Sequence, residues 1–190
     1  HFPRGSRSLT RSVNSSRSLF SERTSVILRL FCVVSAAVIH ELGHILAAKL
    51  CGVRSWRLGL KAGGALITFD FSRITYIREV IVHLAGPAFG VMAALFSVIF
   101  FGERAEYFAG VSLSMALVNL LPVSGFDGGG IFSAVVSMFC LPDLSYRICR
   151  AVSFCTSAVL WVAVVLFEIK YGANIGLLAF TVALCMRNFI

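Results

Sequence analysis

Residues 26–50 read VILRLFCVVSAAVIHELGHILAAKL, an apolar run with few polar interruptions. As a helix at ~1.5 Å per residue this run is roughly 37 Å long, enough to cross the roughly 30 Å of bilayer hydrocarbon. Four more apolar stretches follow, at 80–101, 108–140, 149–167 and 173–190. The stretch 108–140 is interrupted by Pro122, Gly125 and the Gly128-Gly129-Gly130 run, which predicts a broken helix. Such a break is tolerated at membrane depth only where protein or a water cavity satisfies the freed backbone groups. Between the first two stretches, residues 56–71 (WRLGLKAGGALITFDF) carry β-forming side chains on both sides of Gly63-Gly64, the pattern of a short strand pair. The fold class predicted is an all-α membrane protein. It is a polytopic transmembrane helical bundle of about five spans, one broken, with a short β-hairpin or sheet edge near residues 56–71.

Composition agrees. Of 190 residues, 58% are hydrophobic and 14% charged, and the mean hydropathy is +0.88; soluble domains are nearer ~45–50% apolar and ~25% charged. The net charge of +8 would point to nucleic acid in a soluble protein. Here the positive residues flank the spans, so they set topology and nucleic acid is not an expected partner. The 51–78 connection is basic, and the 102–107 connection carries Glu103 and Glu106. The positive-inside rule therefore places 51–78 in the cytoplasm of a multi-pass cell-membrane protein. Residues 1–25 are rich in Ser and Arg, with Glu22 their one acid, and read as a basic disordered arm; the composition also fits a transit peptide. Alternation would put this arm outside, against the same rule, so either the arm is atypical or a further span lies upstream. The six cysteines form no CxxC pair and read as small buried hydrophobes.

Within the first run, His40-Glu41-Leu42-Gly43-His44 places two imidazoles four residues apart on one helix face. One zinc ion can take a nitrogen from each. Glu41 is placed to take a proton from a water that the metal activates. Charged groups in a span cost about 2.5–3.5 kcal/mol at its centre, so they mark function. A catalytic zinc needs a third protein ligand, and Asp127 in Asn119-Leu120-Leu121-Pro122-Val123-Ser124-Gly125-Phe126-Asp127-Gly128-Gly129 is the strongest candidate. Its chemistry reads equally as that ligand or as an Asp-Gly turn at a helix end. His83 is a conceivable ligand, and reads better as a polar residue lining the cavity.

HELGH inside a span, followed by N-x-x-P-x(4)-D-G, resembles the signature of the site-2 protease family of intramembrane zinc metalloproteases, over roughly residues 26–140. The resemblance implies that His40, His44 and Asp127 bind Zn2+, that Glu41 is the catalytic base, and that Asn119 positions substrate or the active water. VNLLP before the Asp-Gly-Gly, a Gly-Gly stretch and Ala-Gly-Pro look similar to the sporulation branch, which implies a membrane-associated sigma-factor precursor as substrate. Two features depart from the pattern. Gly90 stands where many members have Asn. The branch also has six spans and a cytoplasmic nucleotide-sensing domain, so a first span and a C-terminal domain are expected outside this sequence.

The expectation is thus a transmembrane protease domain over residues 26–190, a zinc metalloendopeptidase with its active site toward the cytoplasmic side. Its partners would be the lipid bilayer, a membrane-associated protein substrate and a regulatory or inhibitory membrane protein. Gly63 and Gly64 belong to the strand edge expected to hold an extended substrate by main-chain hydrogen bonds. Two other classes compete. A catalytically silent zinc-binding scaffold has no need of Glu41, and a metal transporter needs polar residues along a continuous path, which this clustered set is not.

Overall fold

The computed structural model describes the backbone from Gly5 to Arg187 apart from residues 54–55, 62–63 and 173–174, and side chains chiefly from Val26 onward. Helix α1 spans Gly5–Leu50, followed by strands β1 (Trp56–Lys61) and β2 (Gly64–Phe69). Helices α2 (Tyr76–Phe101), α3 (Glu106–Asn119), α4 (Asp127–Ser137), α5 (Pro142–Tyr171) and α6 (Ile175–Arg187) complete the chain. The Ser/Arg-rich arm expected to be disordered over 1–25 falls partly on residues 1–4, outside the described residues, and partly on the N-terminal part of α1, whose side chains are not described.

Local chemistry sets the ends of these helices. At the end of α1, Gly52 takes φ +83°, its N–H donates to the Lys49 carbonyl and that of Val53 to the Ala48 carbonyl. This pair of bonds is the Schellman C-cap, and the positive φ explains why glycine stands there. Thr75 caps α2, its hydroxyl accepting from the Arg78 N–H at 3.5 Å, and Pro142 opens α5 at a position that needs no amide donor.

Strands β1 and β2 pair antiparallel, with Trp56 opposite Phe69 and Lys61 opposite Gly64. Among the described residues no further strand covers them, so each keeps an outer edge.

Helix α2 lies at the centre, packed against α1, α3 and α4, while α5 joins α4 to α6. Small residues let these backbones approach. A Cβ on Gly43 would meet the Ala85 carbonyl at 2.6 Å, and one on Gly90 would meet Ser112 and Ala116 of α3 at 3.4–3.5 Å. Helices in lipid associate through such close packing, since hydrocarbon supplies no hydrophobic drive. The outer faces are apolar and exposed, as at Phe31, Leu46, Ile99 and Leu166, the arrangement of a membrane protein. Among the described residues three stretches, Val26–Leu50, Tyr76–Asn119 and Pro142–Tyr171, are helical, long and apolar enough to cross a bilayer. The five expected spans are therefore redrawn. The acidic connection is one 3₁₀ turn, Gly102–Ala105, that joins α2 closely to α3, and the last stretch is a shorter helix.

The broken span divides where its prolines and glycines are. Helix α3 stops at Asn119 and α4 starts at Asp127, with Gly125 at φ +85° between them. The loosened backbone is satisfied locally: Phe126 donates to the Val123 carbonyl at 3.0 Å, and the Ser124 N–H donates to the Ser153 hydroxyl of α5 at 2.8 Å. A Cβ on Gly128 or Gly129 would collide with the Leu120 or Val123 carbonyl, so this segment folds back directly onto the first turn of α4.

Of the cysteines only Cys51 is buried and Cys155 is exposed. The expectation of buried cysteines thus holds for Cys51 alone, the other four being half-buried. All six are free thiols.

Candidate metal centre

Helix periodicity brings His40 and His44 to one face of α1, and both are buried, at 4% and 5% exposure. Asp127, at the first position of α4, reaches the same point from 87 residues away. His40 Nε2 lies 3.0 Å from Asp127 Oδ2, His44 Nε2 lies 3.2 Å from the same oxygen, and the two Nε2 atoms are 3.1 Å apart. Asp127 also sits at the positive end of the α4 dipole, which favours a carboxylate.

The second ring nitrogen of His44 determines its tautomer. His44 Nδ1 is 2.8 Å from the Val82 carbonyl, which only accepts, so Nδ1 carries the proton and Nε2 of the neutral ring presents a lone pair. Gly86 makes space for that ring, because a Cβ there would overlap it. His40 Nδ1 is buried without a hydrogen-bond partner among the described residues.

These atoms fit a zinc ion. Zinc bonds of about 2.0 Å set neighbouring ligands of a tetrahedron about 3.3 Å apart, close to the 3.0–3.2 Å triangle found here. A cation held among these three buried atoms would satisfy all of them at once, and two imidazoles with one carboxylate are a common catalytic zinc set. No other group of three such side chains gathers among the described residues.

Glu41 lies beside the cluster, half-buried, within electrostatic reach of His40, His44 and Asp127. His83 is brought in as well: its Nδ1 is 3.4 Å from Asp127 Oδ1, the oxygen that does not face the histidine pair. Asn119 is not brought in. Its amide donates to the Met115 carbonyl of its own helix at 3.0 Å, and among the described residues it has no hydrogen bond to the cluster. Gly64 opens β2, and Gly63 lies outside the described residues.

The sequence reading missed Val82 and the space-making role of Gly86. A backbone carbonyl carries no residue signal, and Gly86 stood out only as the partner of Pro87.

No family model matches the chain. It is 31% identical over 150 residues to the stage IV sporulation protein FB of Bacillus subtilis (strain 168), an alignment covering 72% of this chain and 51% of that protein. The chain is similar to this sporulation protein in sequence and to a site-2 protease in fold. It spans about half the length of the curated relative it matches. The solved site-2 protease from Methanocaldococcus jannaschii shares the fold, with a TM-score of 0.64 at 23% identity over 84% of this chain and 74% of that one.

Proposed function

We propose that the chain is an intramembrane zinc metalloendopeptidase that hydrolyses a peptide bond in or near the membrane segment of a membrane-associated protein. The observation that carries this reading is the triangle of His40 Nε2, His44 Nε2 and Asp127 Oδ2 with the Glu41 carboxylate beside it. His40, His44 and Asp127 hold the ion. When bound, zinc acidifies water and polarises a carbonyl oxygen. Glu41 accepts the proton from the attacking water as it adds to the scissile carbonyl, then delivers that proton to the leaving amide nitrogen. Val82 fixes the orientation of His44 throughout. The outer edges of β1 and β2 hold the substrate as an extended strand, the form in which a peptide carbonyl is open to attack.

The resemblance to the sporulation branch gives the finer reading, a sigma-factor precursor as substrate with a membrane regulatory or inhibitory protein nearby. The basic 51–78 connection orients the active site toward the cytoplasm of a multi-pass protein. A geometric feature supports this sidedness. Arg29 lies over the Tyr107 ring at 5.7 Å, so the acidic connection lies near the Val26 end of the Val26–Leu50 stretch, away from Leu50, and His44 is only ~9 Å below Leu50 along the helix.

The test is metal dependence. Protein purified in nanodiscs should carry about one zinc per chain, cleave a membrane-tethered substrate, lose cleavage on chelation and regain it with zinc. Cleavage that survives complete zinc removal contradicts the reading, as does a chain that binds zinc and cleaves none of its candidate precursors.

A further inference from the structure

His83 is held on three sides. The Phe71 ring lies against it, with centroids 5.3 Å apart. Gly130 of α4 leaves bare the space its ring fills, since a Cβ there would overlap the imidazole. Its Nδ1 faces Asp127 Oδ1 at 3.4 Å. It is not placed as a ligand, because it falls outside the set whose donor atoms all lie within 4.8 Å of one another.

The division of labour on Asp127 is sharp. Oδ2 faces both histidines of α1, and Oδ1 faces His83 of α2. A carboxylate on a two-bond stem is otherwise free to rotate, and an unengaged Oδ1 could swing toward the ion and close the position that water and substrate need. A contact of 3.4 Å is long for a hydrogen bond, so its effect is to orient the carboxylate rather than to bind it tightly.

We infer that His83 is a positioning residue that donates from Nδ1 to Asp127 Oδ1, keeping Asp127 a single-oxygen ligand and the fourth position open. The inference rests on the zinc reading above. It also assigns Gly130 and Phe71 a purpose, which is to lock the imidazole at the angle that aims Nδ1 at the carboxylate. Outer partners of this kind typically change metal affinity or activity by about 10–100-fold.

The discriminating pair is His83→Asn and His83→Leu. The Asn amide nitrogen stands close to where Nδ1 stood, so it keeps the donor; Leu keeps bulk and removes it. Zinc affinity is measured by chelator competition on purified protein in nanodiscs. The visible spectrum of the cobalt-substituted protein reports coordination number, and kcat and KM are measured where cleavage persists. The expected result is His83→Leu weakened about 10–100-fold in zinc affinity, with a cobalt spectrum shifted toward higher coordination and a loss in kcat rather than KM. His83→Asn should recover most of each. Equal affinity and spectra in wild type and His83→Leu overturn the inference while leaving the zinc reading intact. Equal damage by Leu and Asn also overturns it, since volume and not the donor would then matter. A wild-type chain that binds no zinc overturns both.

Discussion

Asp127 joins α4 to both histidines of α1, and among the described residues no other side chain of α4 has a hydrogen bond to them. Asp127→Ala turns three ligands into two, and zinc affinity should fall by more than the roughly 10–100-fold of an outer partner. Metal analysis after dialysis checks this, and stoichiometric zinc in that variant would mean that Asp127 is not a ligand. Gly86 is the less obvious test. A Cβ there overlaps the His44 ring, which is pinned by Val82 at 2.8 Å, so Gly86→Ala should displace the imidazole. It should cost about 1–3 kcal/mol of stability from overpacking, and zinc affinity with it; an unchanged thermal midpoint and unchanged zinc binding would contradict the contact. At this scale His40, Glu41 and His44 were legible because helix spacing alone sets them on one face. The contacts of Val82, Gly86 and His83 were not, since they join positions 38 to 44 residues apart, and only the packing of α2 against α1 and α4 creates them.

The break between α3 and α4 is the departure from regular helix that places Asp127. The stop after Asn119 was readable from Pro122 and the glycines, because proline cannot continue the hydrogen-bond ladder. The short acidic turn around Gly102–Ala105 was readable too; what could not be read is that Ser153 of α5 supplies the hydroxyl that satisfies the Ser124 amide. The strand pair carries a prediction of its own. Along β2 the amides alternate in direction, so of two adjacent residues one points its N–H toward β1 and the other outward. Proline at Ile67 and, separately, at Thr68 removes one amide each and fixes φ. One variant should lose pairing within the hairpin and the other only substrate capture, raising KM at unchanged zinc content. Wild-type cleavage by both variants would rule out strand addition as the mode of capture.

Across the whole molecule, three helices converge on one buried polar point inside a chain that is otherwise apolar on its outer faces. Helix α1 brings the two proposed histidine ligands and the acid between them, α4 brings the proposed aspartate ligand, and α2 brings the carbonyl and the imidazole that contact them. The central claim is that this convergence is catalytic and not merely metal-binding, which separates a protease from a silent zinc scaffold or a transporter. Glu41 decides between them, because it is an acid beside the cluster that the ligand set does not use. The most direct measurement is zinc content and cleavage rate, side by side, for wild type and Glu41→Gln in the same nanodiscs. The amide keeps the size of the carboxylate but cannot accept the proton. The expected result is about one zinc per chain in both proteins and cleavage reduced by on the order of 10²–10⁴-fold in the variant. Near-normal cleavage by zinc-loaded Glu41→Gln would contradict the account.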